Sequence, residues 1–159
     1  MTLTELLSIH PFSWQSIGAA LLCGSIIGLE RQLRGKPVGI RTSSLIVLGT
    51  YMFVAISAFV INDASDPSRI IGQVVTGVGF LGAGVMMTRE GVVTGVTSAA
   101  TIWALAALGV CVAVVDSIVA IKLSVLVVAI LYGIDAVEGY SAHLSRGVHA
   151  KYSKWRRHK

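Results

Sequence analysis

Long apolar runs alternate with short polar segments along most of this chain, and the runs define the expected elements. Residues 12–29, 43–61 and 70–87 each read as one run, and a fourth extends over 96–134. At about 1.5 Å per residue the fourth is too long for a single helix across a hydrocarbon core of about 30 Å. "VVDS" at 114–117 divides it, with Asp116 and Ser117 supplying a turn and a helix cap, so the pattern predicts spans over 96–115 and 117–134. "DPSR" at 66–69 predicts a helix start, Asp66 as N-cap and Pro67 at the first helical position. Thr2 and Glu5 fit a capping box and Pro11 a stop, which predicts a brief interfacial helix over 3–10. The expected fold is all-α: a polytopic membrane protein, a bundle of five transmembrane helices over 1–134. Beyond it, Val137, Tyr140, Leu144, Val148, Tyr152 and Trp155 recur at steps of three or four. That spacing predicts a short basic amphipathic cytoplasmic tail over 135–159 that rests on membrane lipid.

Composition agrees with a membrane location. Of 159 residues, 54% are hydrophobic and 13% charged, where a soluble domain carries about 25% charged residues. Mean hydropathy is +0.77. The net charge of +5 taken alone would suit a nucleic-acid binder, but its distribution does not. With five spans, eleven of the thirteen Lys and Arg residues fall on one side: Arg31, Arg34, Lys36 and Arg41, then Arg89, then six in the tail. The other side holds Arg69, and Lys122 near its end of the last span. Basic loops stay in the cytoplasm, so the N-terminus is expected outside and the C-terminus inside, with no nucleic-acid partner. Four spans, with the third run re-entrant, would export the basic tail. The first residues carry no Lys or Arg and so lack the basic region of a cleavable signal peptide. Lys122 is shallow enough to snorkel outward, with a bundle-facing role as the alternative. Cys23 and Cys111, each inside an apolar run, are expected to pack as small hydrophobes.

Glycine marks the expected helix contacts. Ala20, Gly24 and Gly28 make a small-residue stripe on the first span, and Gly77, Gly79, Gly82 and Gly84 crowd the third. Small residues let helix backbones approach where lipid gives no hydrophobic reason to associate, so spans one, three and four are expected to form the tight core. No Walker lysine follows these glycines. The four histidines lie at the chain ends, and HExxH, GxSxG and CxxC are missing. The expectation is therefore no catalytic residues, no cofactor and no metal site. Asp63 and Asp66 suit helix capping better than a weak divalent-cation site.

Three blocks, "GLERQLRGKPVGIRT" (28–42), "DPSRIIGQVVTGVGFLGAG" (66–84) and "GVTSAATIWALAALG" (95–109), resemble the MgtC/SapB family of bacterial inner-membrane proteins. The family pattern maps onto Glu30, Arg31, Gly35, Lys36, Gly39, Arg41 and Thr42 in the first block. In the second it maps onto Arg69, Gln73, Gly77, Gly79, Phe80, Gly82, Ala83 and Gly84, and in the third onto Gly95, Thr97, Ala99, Ala100, Thr101 and Trp103. Departures are valine at 38 and 96, where alanine and leucine are common, and Ser98 where threonine is usual. Many members continue into a soluble cytoplasmic domain, which this short form is expected to lack.

The resemblance implies a non-enzymatic regulator tied to magnesium homeostasis, stress adaptation and virulence. It would act on other membrane complexes, the proton-translocating ATP synthase among them, and a homodimer is expected. A small magnesium transporter or channel is the alternative. The 28–42 connector then orients the chain. It is also expected to hold a charged network of Glu30 with Arg31, Lys36 or Arg41, beside Thr42, that a partner or anionic ligand reads. Arg69, Gln73, Thr97, Thr101 and Trp103 are the polar family positions of the bundle. For Arg69 and Gln73, one turn apart, anchoring at the headgroups and bridging to a neighbouring helix both remain open. The topology predicts that a reporter active only in the cytoplasm works when fused at residue 159 and fails near residue 64. The reverse pattern would overturn the orientation.

Overall fold

The computed structural model describes residues 7–60, 68–89 and 92–140. It contains α1 (Trp14–Leu33), α2 (Ile40–Val60), α3 (Ser68–Val85), β1 (Met87–Arg89), β2 (Val92–Thr94), α4 (Val96–Val114) and α5 (Ser117–Tyr140). The protein is essentially all-α. Among the described residues four helices, α2 to α5, are long and apolar enough to cross a membrane. α1 has the length, 20 residues or roughly 30 Å, but polar residues at both of its ends lower its hydropathy. It lies in the bundle against α2 and α5.

Local chemistry accounts for the helix ends. Ser13 caps α1, its Oγ accepting from Ser16 N at 3.0 Å, and Ser13 N donates to the Tyr51 hydroxyl at 3.1 Å. At the other end Gly35 takes φ 61°. Its N–H donates to Gln32 O at 3.1 Å and Lys36 N donates to Arg31 O at 2.9 Å, the paired bonds of a Schellman motif. Glycine there closes the helix without the steric cost that a Cβ would bring. Asp116 caps α5 as its position suggested, Oδ1 accepting from Ile118 N at 2.7 Å and Val119 N at 3.2 Å. Residues 7–10 are turn and coil. The rest of the expected interfacial helix, the Asp66–Pro67 start, Asp63, Glu90 and the tail from 141 lie outside the described residues.

Between α3 and α4 the sequence reading expected a plain loop. The chain instead pairs Met87 with Thr94, Thr88 with Val93 and Arg89 with Val92 in an antiparallel hairpin. Gly95 follows at φ 88° as the N-cap of α4, and a Cβ there would collide with Val85 O.

The packing corrects the expected core. α1 packs most extensively on α2, and α2 next on α4; α3 packs mainly on α4 and touches α2 little. The reason lies at the crossings. A Cβ on Gly24 would sit 2.6 Å from Ser44 N and 2.8 Å from Ser43 C, and one on Gly28 would sit 2.7 Å from Ile40 N. Gly109 of α4 likewise approaches Val47 O and Thr50 Cβ of α2, each at 2.6 Å. Serine and threonine on α2 thus do the work that the glycine count assigned to α3. On α3, Gly82 is in ordinary contact with Ala99, whereas Gly77, Gly79 and Gly84 have no atom within 4 Å of a built Cβ. Cys23, Ile27, Val47, Ile102 and Leu105 fill the interior. Large apolar side chains such as Phe53, Phe59, Phe80 and Leu126 face outward, as a lipid-embedded surface requires.

Gly24→Ala and Gly28→Ala should therefore each force two backbones apart and lower stability by about 1–3 kcal/mol. Gly79→Ala, with open space around it, should stay within about 0.5 kcal/mol of the parent. Thermal unfolding in detergent checks this; equal melting of all three variants would remove the crossings from the account.

Candidate functional site: a buried charged cluster at one end of the bundle

The last turn of α1 carries both charges of the pair Glu30–Arg31 into the protein. Arg31 is 3% exposed and Glu30 9%. The α1–α2 crossing at Gly28 holds this turn close to α2, and the Schellman closure at Gly35 turns the chain immediately after it. Arg31 Nη2 donates to Ser98 Oγ at 2.7 Å, which ties α1 to the first turn of α4. Glu30 Oε2 lies 4.0 Å from Arg31 Nη1, at the outer limit of an ion pair. Glu30 Oε1 lies 2.8 Å from Arg34 Nε, one helical turn on, in the favourable acid-before-base order. The Arg34 guanidinium in turn covers the Tyr132 ring of α5 at 4.9 Å from its centroid, a cation–π contact. Three helices meet in one cluster.

Among the described residues the Glu30 carboxylate faces two guanidinium groups, those of Arg31 and Arg34. The Arg34–Glu30 contact is close but not aligned as a hydrogen bond, so among the described residues neither buried Glu30 oxygen accepts one. The carboxylate is held by charge alone. A buried ion pair is a weak source of stability, because desolvating both charges offsets much of their attraction.

The connector that follows is also strained. Val38, β-branched, has φ 69°, a left-handed conformation that costs of order 1–3 kcal/mol. Burial of its side chain and the bond from Ser43 Oγ to Val38 O at 3.1 Å hold it there.

Of the expected network, the structure brings together Glu30 and Arg31 and adds Arg34, Ser98 and Tyr132. Lys36, Arg41 and Thr42 are exposed, and among the described residues no ion pair joins Lys36 or Arg41 to Glu30. Arg41 and Thr42 instead line the mouth of a groove between α2 and α3 that Gln73 also lines. Arg69 is exposed beyond it. Thr101 is buried, donating to Thr97 O at 2.8 Å, while Trp103 is 56% exposed on the outer face. Gly24 and Gly28 lie at the α1–α2 crossing. Among the described residues no three His, Cys, Asp or Glu side chains converge. Sequence reasoning missed Ser98 and Tyr132 as site residues. Ser98 had registered only as a departure from the family pattern, and nothing local links it to a residue 67 positions away.

An all-α bundle with lipid-facing apolar walls, small-residue crossings and a charged cluster at one end defines a polytopic membrane protein. Residues 17–140 match the MgtC family, and the chain belongs to it. It is 48% identical over 98 residues to the "Putative magnesium transporter YhiD" of Escherichia coli K12, covering 57% of this chain and 45% of that protein. It is 44% identical over 94 residues to "Protein MgtC" of Brucella abortus, covering 59% and 39%. With "Protein MgtC" of Salmonella typhimurium it shares 47% over 93 residues, covering 58% and 39%. The chain thus spans less than half the length of these curated relatives. No solved structure matches it.

Proposed function

We propose that this chain is the membrane part of a regulator of magnesium and ion homeostasis. It sits in the bacterial inner membrane and works through contacts with other membrane proteins, without catalysis and without carrying the ion. The name of the Escherichia coli relative supports the link to magnesium. The observation that carries the regulatory reading is the Glu30–Arg31–Arg34–Ser98 cluster, a costly charged assembly at the bundle end where the basic connector begins. Its cost makes sense if a partner or a conformational change uses it. By the basic bias of the loops this end faces the cytoplasm, with the N-terminus outside. In this reading the chain assembles as a homodimer; action on complexes such as the ATP synthase, in stress and virulence adaptation, follows from the family resemblance.

The interior supports a contact mechanism. Magnesium demands an octahedral shell of oxygen ligands, yet the centre of the bundle is filled by apolar side chains. The interior hydroxyls of Ser57, Thr101 and Ser124 are spent on carbonyls of their own helices. Transport is the second reading, favoured by the relative's name. The purified protein in liposomes containing a magnesium-sensitive dye should give uptake equal to protein-free vesicles. Glu30→Ala cells that still make the protein should fail to grow in low magnesium. Saturable uptake that disappears on Asp116→Asn would replace the regulator with a transporter.

A further inference from the structure

α2 and α3 diverge enough to leave a groove of about 870 Å³ between them, a volume within the range of about 300–1,000 Å³ typical of ligand sites. Its walls are apolar, with Leu45, Phe53 and Ile56 on α2 and Val74 and Leu81 on α3. From Arg41 to Ile56 it runs roughly 22 Å at 1.5 Å per residue, longer than the ~15 Å half-thickness of a bilayer's hydrocarbon core. Gly49 and Gly77 line it midway, and a Cβ at either meets no atom within 4 Å. The protein itself leaves this space unused.

The linings of the groove's two ends differ in charge. Where α2 begins, Arg41 and Thr42 line the mouth, both exposed. Arg41 makes no ion pair among the described residues, and Lys36 is exposed five positions earlier. The far end is lined by Gln73 and by Ser57, whose hydroxyl already bonds Val54 O at 2.6 Å, and Arg69 is exposed beyond the lining. A long apolar trough with an available cation at one mouth complements an amphiphile whose single anionic group sits at one end. A basic pocket between transmembrane helices suits anionic headgroups, and a guanidinium matches a phosphate with two parallel N–H···O bonds.

We propose that the α2–α3 groove seats one anionic phospholipid. The phosphate is held by the Arg41 guanidinium and the Thr42 hydroxyl, and one acyl chain lies along Leu45 and past Gly49 and Gly77. The lipid would then be an integral wall of the bundle, covering the α2–α3 gap that the helices do not close themselves.

The test is native mass spectrometry of the detergent-solubilised full chain titrated with phosphatidylglycerol or with phosphatidylcholine of the same chain length. One phosphatidylglycerol per chain should be retained about fivefold more tightly than phosphatidylcholine, the worth of one basic residue near a headgroup. Arg41→Gln should remove that preference, while Lys122→Gln on α5, which does not line the groove, should leave it intact. Gly49→Leu and Gly77→Leu should fill the trough and lose both lipids at unchanged helical content, since the new side chains enter open space. If Arg41→Gln fails to fold, the two leucine variants decide. Equal retention of the two lipids, lipid kept by both leucine variants, or a lipid-free dimer that Gly77→Leu dissociates would each overturn the assignment.

Discussion

Arg31 ends up almost wholly buried at the place where α1 stops and α4 starts, and its bond to Ser98 constrains everything around it. A buried guanidinium is tolerable only if its charge and its N–H groups are matched. Glu30 must therefore come inward with it, and Arg34, one turn later, must fold back to that carboxylate. Arg34 can do so because it stands one helical turn on, on the same face of α1. Its cation then rests on Tyr132, which draws α5 into the same assembly. One buried charge thus recruits three helices.

That charge is held in place by contacts of a different kind. In lipid there is little hydrophobic reason for helices to associate, so van der Waals contact of backbones has to supply the cohesion. The α1–α2 crossing is close enough at Gly24 and Gly28 that no side chain intervenes. The same economy at Gly109 sets α4 against α2. α3 has no equivalent contact with α2, and the space left there is the apolar groove. The bundle is therefore tight where glycine, serine and threonine meet, and open where α3's glycines face no neighbour.

The sequence was most legible where the signal is local. Apolar runs located the helices, and Asp116 announced the break between α4 and α5. The family resemblance, resting on three blocks in order, was legible for the same reason. Illegible features depended on distance in the chain. Glycine density in α3 suggested a core helix, but density does not say whether a partner stands opposite, and serine on α2 proved to be the closer surface. The link from Arg31 to Ser98 crosses two helices and a hairpin, and no periodicity encodes it. The hairpin itself was hidden because its two strands are three residues each, too short for alternation to register.

A double-mutant cycle on Arg31→Gln and Ser98→Ala, read by unfolding free energy in detergent, tests most directly whether this bond fixes α1 against α4. The expected coupling is about 1.5–3 kcal/mol, the worth of a buried hydrogen bond to a charged group. Single-variant effects that add within about 0.5 kcal/mol would contradict it.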